Sequence, residues 1–252
     1  MPRSGRMAVE PFAAKTAREI HGFKTDAWTL KGAQILNIHY EIDNDTVEDL
    51  IPVTMRPAIP AYAIFNVTKY PDSPAGPFSI AEVRVGSRAG VRPRGFVLRS
   101  YVSTEAAANE LSQRWGYPAV VGKVYLRAYH DRVVANVTTA EGKKALDMEM
   151  IDREFISGND VQYISSMHLA RNKEDGKLVV VQVDPEWVLH RAERGRPHII
   201  SVDSQSWGAG EMLRADYPIS ASFSTSDVTL SKVRYFCDPA QDAFKGTTSV
   251  AA

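Results

Sequence analysis

The stretch Trp115-Gly116-Tyr117-Pro118-Ala119-Val120-Val121-Gly122-Lys123-Val124 changes character at its centre. Upstream, segment 103–115 (STEAAANELSQRW) opens on a capping residue, is rich in alanine and stops at Gly116, which predicts a helix. Downstream, an apolar β-branched run predicts a strand. A Gly-Tyr-Pro turn joins them, and one lysine follows five residues after the proline. Lys123 is either a reactive amine at the head of a pocket or the charged tip of a buried strand.

Working outward, the same strand signature recurs. Apolar or alternating runs bounded by Pro, Gly and Asp cover 33–42, 61–70, 79–89, 95–102, 123–130, 132–140, 144–155, 161–170, 177–188, 198–207 and 228–239. Segments 130–133, 140–144 and 171–177 are polar connections suited to tight hairpins. A second helix is expected from Asp45, with Glu48 three residues later as a capping box before Leu50 and Ile51, and Pro52 as its stop. His190 and His198 flank RAERGRP, which reads as a solvated basic loop. The expected fold is α+β: one domain over 1–252, mainly antiparallel, closed into a barrel or cone-like sheet with a few short helices. Only about 1–15 and 240–252 read as loose.

Composition narrows the function. The 252 residues are 44% hydrophobic and 24% charged, with 30 Lys+Arg against 30 Asp+Glu. Zero net charge gives nucleic acid or an anionic membrane no bulk attraction. The one cysteine, Cys237, excludes an intrachain disulfide and a cysteine-built metal site. No apolar run approaches the roughly 18–20 residues that span a bilayer, and the N-terminus lacks a secretory apolar core. A soluble, cytoplasmic protein is expected. There is no phosphate-binding loop, dinucleotide fingerprint, nucleophile elbow or zinc-protease motif, and the six histidines have no metal-like spacing. Neither a metal nor a cofactor is expected.

The order of the elements is more informative. Asn37–Asp43 forms a strand, and an acidic helix follows it into Leu50-Ile51-Pro52-Val53-Thr54-Met55. Gly76-Pro77-Phe78 opens another strand, the helix at 103–115 leads to Gly116-Tyr117-Pro118, and Trp207-Gly208-Ala209-Gly210 precedes a final strand near Val233. In this order and spacing the chain resembles the acetoacetate decarboxylase superfamily over nearly its whole length. The resemblance implies two consecutive lysines after the Gly-aromatic-Pro turn, one attacking the substrate carbonyl as a Schiff base while burial or its neighbour keeps it neutral. Here those positions are Ala119 and Val120. It also implies an arginine after the first-strand aromatic and a glutamate two residues after Gly-Pro-aromatic. Here Tyr40 is followed by Glu41, and Ile80 stands in the second place. Three losses at one site argue for a reaction other than lysine-dependent decarboxylation.

Strand parity sorts the remaining candidates. Lys123 shares a face with Ala119 but lies about 13 Å further along, too far to occupy the same spot. If Ile80 faces inward, so do Glu82 and Arg84, and His39 goes with Glu41. His39, Glu41, Glu82 and Lys123 are the candidate catalytic groups, since an inward charged set is costly unless paired or functional. Tyr40, Tyr62, Phe78, Ile80, Arg84, Trp115, Tyr117, Ala119 and Val120 are the expected wall. The family includes aldolase-, dehydratase- and cyclase-like members. The expectation is therefore a non-decarboxylating lyase, cyclase or dehydratase acting on an apolar keto or polyketide-type substrate in specialised metabolism. A relocated Schiff base on Lys123 and a non-catalytic binding protein are the alternatives. A small-molecule substrate and a homo-oligomer are the expected partners, without nucleic acid or membrane.

Overall fold

In the computed structural model of the protein, residues 3–23 and 25–250 are described. The strands in chain order are β1 (Arg18–Ile20), β2 (Trp28–Glu41), β3 (Arg56–Pro57), β4 (Tyr62–Tyr70), β5 (Phe78–Ala89), β6 (Arg92–Val102), β7 (Ala119–Ala128), β8 (Arg132–Thr139), β9 (Lys144–Ile156), β10 (Ser166–Asn172), β11 (Leu178–Val183), β12 (Glu186–Val202), β13 (Tyr217–Leu230), β14 (Tyr235–Cys237) and β15 (Thr247–Ser249). The helices are α1 (Val9–Thr16), α2 (Asn44–Leu50), α3 (Glu105–Trp115) and α4 (Ala243–Gly246).

Nine strands close on themselves in the order β2-β4-β5-β6-β7-β8-β9-β12-β13, because β6 pairs with β5 as well as with β7. Closure removes the sheet edges that would otherwise remain open. The interior is apolar. Leu36 and Ile38 of β2, Phe65 and Val67 of β4, and Val83 and Val85 of β5 join Ala135, Met148 and Phe223 from across the ring in one buried cluster. Trp207 caps it, its ring edge-on to Tyr101 at 5.0 Å and its Nε1 donating to the carbonyl of Ala145 at 3.0 Å.

A second layer covers one outer flank. β10 runs parallel to the start of β6 and carries β11, β14 and β15 with it. Together with α3 it encloses a second apolar cluster, built from Ile35, Phe78, Ile80, Val102, Leu111, Val181, Val228 and Leu230. β2 and β5 therefore supply both clusters, with alternate residues pointing to opposite sides, and Tyr70 at the end of β4 packs against the second. Between their outer face and the second layer lies the candidate site.

Several details differ from expectation. The basic stretch 191–197 is the middle of β12, held to β9 by cross-strand ion pairs, among them Arg194 with Glu154 at 3.1 Å. Within the segments expected to be loose, the described residues are docked: Gly5 and Met7 donate to the carbonyls of Met55 and Ile51 at 2.9 and 3.1 Å, and 243–249 form α4 and β15. Asp43, not Asp45, caps α2, and Thr104, not Ser103, caps α3. Segment 161–165 precedes β10 rather than belonging to it. None of the helices among the described residues is long and apolar enough to cross a membrane.

Candidate active site

The site grows from the outer face of three neighbouring strands. On β5, alternation turns Ile80, Glu82 and Arg84 outward; on β4, it turns out Asn66, Thr68 and Tyr70; on β2, Ile35 and Asn37. α3 supplies the opposite wall. It ends at Gly116, whose left-handed φ of 72° lets its N–H return to the carbonyl of Ser112 while Tyr117 turns toward the strands. A side chain at Gly116 would meet Ala170 Cβ at 2.7 Å. Tyr163, Pro185 and Trp187 close the remaining side. The enclosed cavity is about 30 Å³.

At its centre lies a buried ion pair. Arg84 Nε donates to Glu82 Oε2 at 3.0 Å, and the guanidinium makes a second, shorter contact through Nη2. Ser100 Oγ donates to the other carboxylate oxygen at 3.0 Å. Burial opposes the Arg84 charge, but the Glu82 carboxylate outweighs it and raises the guanidinium's pKa. The pair lies against Gly95 of β6, where a Cβ would stand 3.1 Å from that of Arg84, so a side chain there would crowd the pair. Beside it, Asn66 Nδ2 donates to Asn37 Oδ1 at 2.7 Å and Thr68 Oγ1 to Asn66 Oδ1 at 3.2 Å.

The surrounding titratable groups are neutral. Burial, then the Glu82 charge, pushes the Tyr117 phenol up. Burial, then neighbouring Tyr117, does the same to Tyr70. His39 is lowered to about 4 by burial and then by Arg84, and His168 to about 4 chiefly by burial. His168 packs against Tyr117 at 4.6 Å with the rings tilted by 33°, and its Nε2 donates to the carbonyl of Trp115 at 2.8 Å, which leaves Nδ1 the bare nitrogen. That Nδ1, Ser166 Oγ and Ser226 Oγ are buried without a partner among the described residues. Buried polar atoms rarely stay unpaired, but none of these three lines the cavity, where a polar guest would meet Asn66, Glu82, Arg84 and Tyr117 instead. The formal charge of the ring of groups is zero, which suits an uncharged one.

Of the sequence candidates, Glu82, Arg84, Phe78, Ile80 and Tyr117 line the cavity. His39 stands on the same side within the field of Arg84, bonded to Ser220 Oγ at 3.3 Å, and Tyr62 neighbours it at 6.0 Å. The others lie elsewhere. Glu41 is exposed at the end of β2. Tyr40 points into the ring, edge-on to Phe65 at 6.4 Å, because it has the opposite parity. Trp115 backs the wall, fully buried, with Nε1 donating to the carbonyl of Ser231 at 2.9 Å. Ala119 is buried under α3 and Val120 packs against the ring core; neither lines the cavity. Lys123 is exposed on the outer face of β7, beside Val121 and Tyr125. The lining residues include no lysine. Asn66, Thr68, Tyr70, His168, Tyr163 and Trp187 were not anticipated. Parity along 62–70 identifies the first three, whereas the others depend on the second layer. No trio of potential metal ligands occurs among the described residues.

A structure from structural studies of acetoacetate decarboxylase superposes with a TM-score of 0.70 at 15% identity, covering 83% of this chain and 89% of that one. Acetoacetate decarboxylase from Legionella pneumophila gives 0.69 at 16% identity, covering 85% and 88%. The enduracididine biosynthesis enzyme MppR complexed with pyruvate gives 0.64 at 13% identity, covering 83% and 90%. At these identities the likeness is one of fold. No curated protein sequence matches the chain. The sequence profile of the family described as acetoacetate decarboxylase (ADC) matches residues 11–168, more than half of the chain, and on that match the protein belongs to the acetoacetate decarboxylase family.

Proposed function

We propose that this chain is an acetoacetate decarboxylase-like enzyme that works without a Schiff base, as a dehydratase, lyase or cyclase on an uncharged keto substrate of specialised metabolism. One observation carries the reading: the cavity holds the Glu82–Arg84 pair and neutral phenols, while the lysine positions are Ala119 and Val120. A methyl and an isopropyl group cannot attack a ketone. The solved relative complexed with pyruvate supports a carbonyl compound as the ligand class.

In a dehydration, the Tyr117 hydroxyl donates to the substrate carbonyl while the Glu82 carboxylate takes the α-proton. Carbon–carbon unsaturation forms as the β-hydroxyl departs, and the same proton leaves with it as water. The reaction involves no net oxidation or reduction. His39, neutral beside Arg84, is the second proton carrier. A cytoplasmic homo-oligomer fits the exposed apolar side chains of Ile59, Val91 and Phe155 and the free thiol of Cys237.

The test uses 4-hydroxybutan-2-one, followed by the absorbance of the enone product, and in parallel acetoacetate with borohydride followed by intact-mass spectrometry. Enone formation is expected to fall at least about a hundredfold in Glu82→Gln and to be unchanged in Glu41→Gln and Lys123→Ala. No covalent adduct is expected. An adduct on Lys123, or full activity in Glu82→Gln, would sink the assignment. Because both Glu82 oxygens already have partners in Arg84 and Ser100, a non-catalytic carbonyl-binding protein is the second reading. Ketone binding without turnover would favour it.

A further inference from the structure

We infer that Tyr163, stacked on Trp187, is the movable wall of this cavity and sets the size of the ketone it accepts. The inference rests on the proposed carbonyl site and names its specificity determinant. A cavity of about 30 Å³ holds about two water molecules, whereas small-molecule sites are typically about 300–1,000 Å³. A substrate therefore enters only if part of the wall moves.

Most of the wall is fixed. The lining residues of β4 and β5 lie in strands hydrogen-bonded on both sides, and those of β2 and β13 lie in mutually paired strands of the same ring. Tyr117 is held by its own N–H on the carbonyl of Leu111 at 3.3 Å and by the buried His168 ring. Tyr163 is different. Segment 161–165 has no regular structure, and among the described residues no backbone hydrogen bond ties 162–164 to the rest of the fold. Its ends are secured, since Val161 N–H reaches the carbonyl of Gly158 at 3.2 Å and the Ser165 carbonyl accepts from Gly95 at 2.9 Å. The segment is thus a short strap pinned at both ends and loose in the middle.

The Tyr163 ring lies on Trp187 at 4.9 Å with 20° between the planes, and its hydroxyl is latched to Ser224. Both rings are half-buried, unlike the fully buried residues opposite them. Turning Tyr163 outward breaks one stack and one hydrogen bond and opens the cavity toward solvent. Shortening Tyr163 removes the wall without touching Glu82, Arg84 or Tyr117.

The test is titration calorimetry of 2-butanone and 2-octanone against the parent protein, Tyr163→Ala and Ser224→Ala. Native circular dichroism is confirmed for each, and Trp187→Leu replaces Tyr163→Ala if that variant does not fold. In Tyr163→Ala, 2-octanone is expected to gain at least about tenfold in affinity relative to 2-butanone, because its added methylenes gain pocket contacts once the wall is gone. Ser224→Ala, which removes the latch and keeps the ring, is expected to tighten both ketones by the same factor and leave the ratio of their affinities unchanged. If both ketones bind and that ratio is the same with and without Tyr163, the size-gate inference is overturned while the carbonyl site stands. If neither ketone binds any of these proteins, the site reading fails and takes the gate with it.

Discussion

Strands β2, β4 and β5 have two faces, and the faces follow different rules. Inward they present Leu36, Ile38, Phe65, Val67, Val83 and Val85, all buried and apolar. Outward, one residue away each time, they present Asn37, Asn66, Thr68, Glu82 and Arg84 beside apolar Ile35 and Ile80, and these polar groups are buried just as deeply or nearly so. The inner face needs only volume and hydrophobicity to be satisfied. The outer face needs partners, and it has them in the Glu82–Arg84–Ser100 and Asn37–Asn66–Thr68 networks. Burial alone thus does not separate core from site; the demand for hydrogen-bond partners does.

The comparison is sharpest where a charge is orphaned. Arg84→Met leaves the Glu82 carboxylate buried and unpaired, with an expected loss of about 3–5 kcal/mol. Replacing both residues by hydrophobic ones of similar size recovers most of it, a pattern read in urea melts of the two single variants and the double variant. On the inner face, Phe65→Ala is expected to cost about 3–5 kcal/mol through the cavity left behind, and no second substitution of a polar partner will restore it. Recovery of Phe65→Ala by a polar change, or failure of the double variant to recover, would break the contrast.

Acid titration separates the faces more gently. His39 and His168 titrate at about 4 in the folded chain against about 6.5 when unfolded. The native state therefore binds fewer protons between these values, so stability is fully present above about 6.5 and is lost as pH falls through about 4. Urea midpoints at pH 7.5, 5.5 and 4.5 are expected to fall in that order, and His168→Phe is expected to flatten the slope. An unchanged slope in that variant would show that His168 is not the titrating group. The smallest effect is expected on the outer face of β7, where Lys123→Ala stays within about 0.5 kcal/mol of the parent.

How much of this was legible in the sequence depends on where the partner lies. The ring strands follow from alternation because a strand facing a core carries its own pattern. The Glu82–Arg84 face was legible too, since parity is a property of one strand. β12 was not. Arg191, Arg194 and Arg196 read as solvated loop charges until Glu193, Glu154 and Asp152 are seen opposite them on the same or the neighbouring strand. Lys123 does share its face with Ala119, but α3 covers only the Ala119 end, and helix placement is a tertiary fact. Tyr40 and Glu41 show the same limit: parity divides them correctly, yet only the second layer reveals where the cavity stops. His168 carried no local signal, because its place comes from packing against Tyr117 and bonding to Trp115.

The alternation along β5 also constrains how this protein tolerates insertions and deletions. Adding or removing one residue between Phe78 and Val85 would reverse every side chain beyond it, sending Glu82 or Arg84 into the ring interior and valines into the cavity. The connection at 71–77 carries no such parity, and β6 already absorbs an extra residue opposite Val83 and Arg84. Length variation among descendants of this chain should therefore collect at 71–77 and leave 78–85 at constant length, while the letters at its outward positions remain free to drift toward new substrates.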